Sequence, residues 1–144
     1  MIDFFSKIPE FNFQSEDVTI SNLEKIGDDY GFIIDYINII FVDDEELLEM
    51  NKQFLKHDYY TDIITFDYSE EPKELEAELY ISIDRVKENA IDNCVSFREE
   101  LLRVITHGML HLVGFGDFTV MEKEEMREKE NYYLKNFSFH VKPD

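Results

Sequence analysis

A chain of 144 residues with 13 Phe, 8 Tyr and 44% hydrophobic residues is long enough for one domain, residues 1–144, with a substantial core. Its 33 Asp and Glu against 14 Lys and Arg give a net charge of −19, which disfavours nucleic acid at long range because phosphate binding draws on clustered cations. That exclusion holds on average only, since a local basic cleft survives inside an acidic surface.

One cysteine, Cys94, makes no intramolecular bridge and suits a reducing compartment; it reads as a small buried apolar side chain. The start, Met1-Ile2-Asp3-Phe4-Phe5, lacks the basic and apolar regions of a signal peptide. The most apolar run, Phe32 to Phe41, is broken by Asp35 and Asn38 and is too short for a bilayer. The expectation is a cytoplasmic protein with no membrane partner.

Residues 2–6 alternate weakly, as an edge strand does. Asp17 to Tyr30 has apolar residues near helical spacing, and Gly31 is its expected stop. Ile34 to Val42 is rich in β-branched and aromatic residues and reads as a strand. A short helix over Asp44 to Leu55, a loop at His57 to Tyr60 and a strand over Ile63 to Tyr68 follow. Glu70 to Lys73 marks a turn before a strand at Ala77 to Ile83, and Asp84 to Asn93 reads as a helix.

Ser96-Phe97-Arg98-Glu99 has the pattern of a capping box, so a helix begins at Phe97; it runs to about Val113, where Gly114 offers a left-handed exit. Thr119 to Glu122 is a second such box and opens a last helix to about Asn136, with Met126, Tyr133, Leu134 and Phe137 spaced for packing. Strands interleave with helices and two helices come last. This order predicts an α/β (α+β layered) domain, a mixed sheet of about four strands with about five helices.

Chemistry concentrates between Glu100 and Asp117. His107 and His111 stand four apart on a predicted helix, so both imidazoles project from one face and can reach one metal. The core face of that helix is assigned to Phe97, Leu101, Val104, Ile105 and Leu112, which leaves the histidines outside the apolar stripe. Gly114 lets the chain double back and brings Asp117 towards the same point. Two helical histidines and a ligand beyond a glycine turn leave an open coordination position, as a catalytic zinc needs. A helical zinc peptidase carries Glu directly after its first His, and Gly108 stands there instead, so peptide hydrolysis is disfavoured.

These residues resemble the YbeY family, zinc-dependent endoribonucleases of bacterial ribosomal RNA maturation and ribosome quality control. His107 to Gly114 reads H-G-x-L-H-L-x-G; Asn51 and Phe54 match an upstream N-x-x-[YF], and Thr61 to Phe66 match T-D-[VI]-[LI]-[ST]-F. Glu100 meets an acidic position seven before the first His, and Met126 and Glu130 meet a late Met and Glu. The resemblance implies a fold related to zinc metalloproteases, one zinc ion, RNA as substrate and the ribosomal particle as partner. Three positions depart from it. Gly116-Asp117 replaces Asp-His, Leu55 replaces an Arg that follows the aromatic, and Ala77-Glu78 replaces Gly-Asp. A carboxylate as third ligand lowers the Lewis acidity of the metal, and loss of the Arg removes a phosphate-facing guanidinium.

Glu100 reads either as a proton carrier or ligand orienter, or as an exposed helix carboxylate. Asp62 either orients a ligand or shapes a turn, and Asn51 pins the following loop or meets substrate. Lys52, Lys56 and Arg103 are candidate cations for RNA, with Tyr59 and Tyr60 as stacking surfaces. Two other functions compete with an endoribonuclease. One is a metallohydrolase of another substrate, and the other a metal-binding ribosome-assembly module with weak or no catalysis.

Overall fold

The computed structural model describes residues 1–135; Asn136, Phe137 and His140 lie outside the described residues. Chain order is β1 (Ile2–Ser6), α1 (Glu16–Asp29), β2 (Ile33–Val42), α2 (Asp44–Leu55), β3 (Ile63–Asp67), β4 (Glu74–Ser82), α3 (Ile83–Asp92), α4 (Phe97–Leu112) and α5 (Val120–Leu134). The four strands form one mixed sheet in the order β1-β2-β4-β3. β1 runs parallel to β2 and β2 parallel to β4, while β3 and β4 are antiparallel neighbours. This is the layered α/β domain that the interleaved elements predict.

The register explains which residues face which side. Ile39 pairs with Leu79, and both lie on the face that also carries Ile37, Phe41, Ala77 and Ile81. That face packs against Leu23 and Ile26 of α1 and Leu101, Val104, Ile105 and Met109 of α4. The opposite face is narrower: Ile40, Val42 and Ile64 pack under Leu47 of α2. An aromatic group made by Phe4, Phe11, Phe13, Phe41 and Phe97 closes one side of the main core.

α4 sits in the centre. Leu102, Met109 and Leu110 are buried as well as Leu101, Val104, Ile105 and Leu112 of the predicted stripe, while Phe97 is half-buried, because the sheet, α3 and α5 surround the helix on several sides. At Gly108 the helix lies directly on the sheet, and a Cβ built there would come 2.7 Å from Cδ1 of Ile63 and 3.4 Å from the Leu79 methyls. The absent peptidase glutamate thus has a packing reason: any side chain at this position must push the end of Ile63 aside. Gly108→Ala forces the Ile63 methyl aside. Overpacking of that kind costs about 1–3 kcal/mol, offset by about 1 kcal/mol of helix propensity. The expected net loss of about 1 kcal/mol lowers the melting temperature by about 2–4 °C. Urea unfolding checks this, and a variant as stable as the wild type would show that Ile63 yields freely.

Helix ends follow the expected chemistry. Gly31 (φ 76°) and Gly114 (φ 112°) take the left-handed conformations that end α1 and follow α4. Ser96 caps α4 by accepting from the Glu99 amide, and the Thr119–Glu122 box on α5 is complete in both directions. Two expectations need correction. β4 begins at Glu74 rather than Ala77, because the ladder to β2 (Ile33 opposite Glu74) extends it through residues of low strand propensity. Cys94 is exposed rather than buried, since it occupies a left-handed position (φ 57°) in the turn that closes α3.

Candidate metal centre

α4 presents His107 and His111 one turn apart, with their Nε2 atoms 3.0 Å from each other. The chain leaves α4 through Val113 and Gly114, with the Phe115 amide donating to the Leu110 carbonyl, and returns Asp117 to the same place. Oδ2 of Asp117 stands 3.2 Å from Nε2 of His107 and 3.4 Å from Nε2 of His111. The three predicted ligands therefore meet.

Hydrogen bonding decides what these atoms carry. Nδ1 of His111 lies 2.8 Å from the Phe115 carbonyl, which only accepts, so that nitrogen bears the proton. Nδ1 of His107 lies 2.7 Å from the Glu130 carboxylate, and an ionised carboxylate also only accepts. In the neutral imidazoles both Nε2 atoms are then lone pairs, and they face each other beside a carboxylate oxygen. Three acceptors without a donor repel unless a cation lies between them. A tetrahedral centre with bonds of about 2.0–2.1 Å sets its donors about 3.3–3.4 Å apart, close to the separations found. The donor set fits a divalent metal.

The glycine of the Gly116-Asp117 departure has a local cause. A Cβ at Gly116 would lie 2.6 Å from Oε2 of Glu122, whose carboxylate accepts from the Phe118 and Thr119 amides. Gly116 leaves room for that N-terminal anchor of α5, which holds the loop carrying Asp117.

A cleft of about 380 Å³ opens beside His107 and Asp117 and is lined by Asp62, Asn89, Asn93, Glu100 and Glu130 together with Arg103, Lys123 and Arg127. Glu100 is buried, not an exposed helix carboxylate, and accepts from the Asn93 amide at 3.3 Å. Burial pushes its pKa up, against the Asn93 hydrogen bond, and the neighbouring Asp62 adds to the rise. Asp62 is also raised by burial, although the His107 charge opposes it, and Asn89 donates to it at 3.4 Å. At His107 burial acts downward, but Glu130 and then Asp117 outweigh it and the imidazole is raised above its ordinary value.

The other candidates stand elsewhere. The buried Asn51 amide donates to the Tyr59 carbonyl and pins the loop after α2. Lys52 faces Glu49 and Asp58, and Lys56 holds a left-handed cap at the end of α2; neither lines the cleft. Leu55 is exposed beside them. The Tyr60 hydroxyl donates to Glu45 at 2.6 Å and its ring lies against Arg85, while Tyr59 tilts against His57. Arg103 does line the cleft, but its guanidinium is paired with Glu130.

Lys123, Arg127, Asn89 and Asn93 escaped the sequence reading. Their signal was weak, since charged and amide residues on exposed helices look alike until packing sets their faces. Glu130 had a legible signal: it falls at core spacing between Met126 and Tyr133, where a lone carboxylate needs a partner.

The chain matches the family model described as "Endoribonuclease YbeY" over residues 6–138. A protein of that name from Cytophaga hutchinsonii is 45% identical over 133 residues, covering 92% of this chain and 93% of its own. Another from Flavobacterium psychrophilum is 52% identical over 106 residues, 74% of each chain. A solution structure from Thermotoga maritima superposes with a TM-score of 0.64 at 31% identity, covering 94% of this chain and 88% of that one. With its two-histidine motif, its fold and near full-length relatives in agreement, the chain belongs to the YbeY family.

Proposed function

We propose that this protein is a zinc-dependent endoribonuclease that cuts single-stranded RNA during ribosomal RNA maturation, as one domain working on the ribosomal particle in the cytoplasm. The observation that carries the reading is the convergence of three acceptors, His107, His111 and Asp117, beside a cleft whose lining mixes carboxylates with Arg103, Lys123 and Arg127. The names of the relatives support RNA as substrate.

A zinc ion held there supplies Lewis-acid chemistry at a phosphodiester. The protein's own groups do the rest. His111 and His107 keep their Nε2 lone pairs aimed at one point, fixed by Phe115 and Glu130. Lys123 and Arg127 on α5 give the cleft a local positive edge inside an acidic protein, so RNA binding here is short-range and depends on docking elsewhere. Glu100, buried and raised above the ordinary carboxylate range, lines the same cleft and is the group proposed to carry a proton there. Asp62 lines the same cleft and, as a neighbouring carboxyl, adds to the rise of Glu100.

Cleavage of single-stranded RNA by zinc-loaded protein, its loss on chelation and its return with zinc would support the reading. Zinc bound without any cleavage, free or with ribosomal particles, would favour the assembly module instead. The cleft beside the ligands favours the enzyme, since a purely structural zinc is closed by a fourth protein ligand.

A further inference from the structure

Glu130 lies on α5, on the buried face that carries Met126, Tyr133 and Leu134. Its side chain is only 6% exposed, and its two oxygens have separate partners. Oε2 meets Nδ1 of His107 at 2.7 Å; Oε1 accepts from Nη1 of Arg103 at 2.9 Å, with Nη1 of Arg127 at 3.8 Å. A buried carboxylate is expensive without such pairing, and here a cation fixes one oxygen while the other is presented to an imidazole.

The contact falls on the nitrogen turned away from the three converging acceptors. Glu130 is therefore not a fourth ligand. We propose that Glu130 is a positioning residue: it holds His107 in the tautomer that frees Nε2 for the metal, and Arg103 clamps the carboxylate in place. An imidazole whose other N–H donates to a carboxylate is a better donor to a metal and loses less freedom on binding. The same arrangement takes Arg103 out of the set of RNA contacts. It also makes α5 part of the metal site, because the helix supplies the group that orients a ligand on α4. The inference rests on the metal-dependent reading of the site, but not on the identity of the substrate.

Two measurements test it. In metal-free wild-type protein in mildly alkaline buffer, nitrogen NMR of the histidines is expected to place the His107 proton on Nδ1. A proton found on Nε2 overturns the proposal, with no variant needed. Glu130→Gln keeps the side-chain volume and removes the charge. Its zinc affinity, read by competition with a chelator, is expected to fall about 10- to 100-fold, with the His107 proton now shared between both nitrogens and His111 unchanged. A lower melting temperature with wild-type zinc affinity and wild-type tautomer would make Glu130 a packing residue only and sink the idea. RNA cleavage enters none of these readouts. A zinc-loaded wild type that leaves RNA intact would remove the nuclease reading while the role of Glu130 stood, and a wild type that binds no zinc would remove both.

Discussion

His107→Ala combined with His111→Ala is expected to release the metal and to leave single-stranded RNA uncut while the fold persists. Both imidazoles are partly exposed, 25% and 31%, and neither belongs to the hydrophobic core. Removing them takes away no core side chain, so metal-free stability is not expected to collapse. Lewis-acid stabilisation of a phosphoryl transition state is worth several kcal/mol. At 1.36 kcal/mol per factor of ten, the expected loss of cleavage is on the order of a thousandfold or more. Zinc content and cleavage should fall together. A variant that still cuts RNA at the wild-type rate would place the chemistry away from this centre. Asp117→His is the informative companion: at 47% exposure the position tolerates the larger ring, and a neutral third ligand is expected to keep zinc and raise cleavage.

Glu100→Gln separates chemistry from stability, because the two should move in opposite directions. A positioned proton carrier is worth about 10²–10⁴-fold in rate, so if Glu100 has the proposed role the variant is expected to lose that much turnover while keeping its zinc affinity. Stability follows from the raised pKa. A carboxyl whose folded value exceeds its unfolded value contributes stability that is fully present below the unfolded pKa. That stability is lost as pH rises through the folded value, where the buried group must ionise. At neutral pH the variant should therefore melt at a higher temperature than the wild type. Its stability should also depend less on pH between mildly acidic and neutral conditions. Asp62, raised by burial in the same cleft, leaves part of the slope in place. Equal melting curves at all pH values would mean that Glu100 is not held as a buried acid. Unchanged turnover would take the proton-carrying role away from it.

The sequence by itself determined the element order, the mixed α/β architecture and the three residues that meet at the metal centre. These depend on local chemistry. Helical spacing puts His107 and His111 on one face, and a glycine at positive φ turns the chain back to Asp117 whatever surrounds it. The family motifs between Asn51 and Gly114 are local in the same sense. Only the tertiary structure decided the surroundings. β4 is longer than its residues suggest because β2 offers hydrogen bonds along its length. Cys94 is exposed because a turn closes there. Lys52 and Lys56 stay out of the cleft because α2 packs on the opposite face of the sheet, while burial of Glu100 and the Arg103–Glu130–His107 chain depend on which face of α3 or α5 meets α4. Such contacts join residues 27 and 23 positions apart in the chain, across two helices whose packing angle no local pattern encodes. A pKa or a hydrogen-bond partner follows from that packing, so Glu100, Asp62 and Glu130 could be named from the sequence while their burial and partners could not.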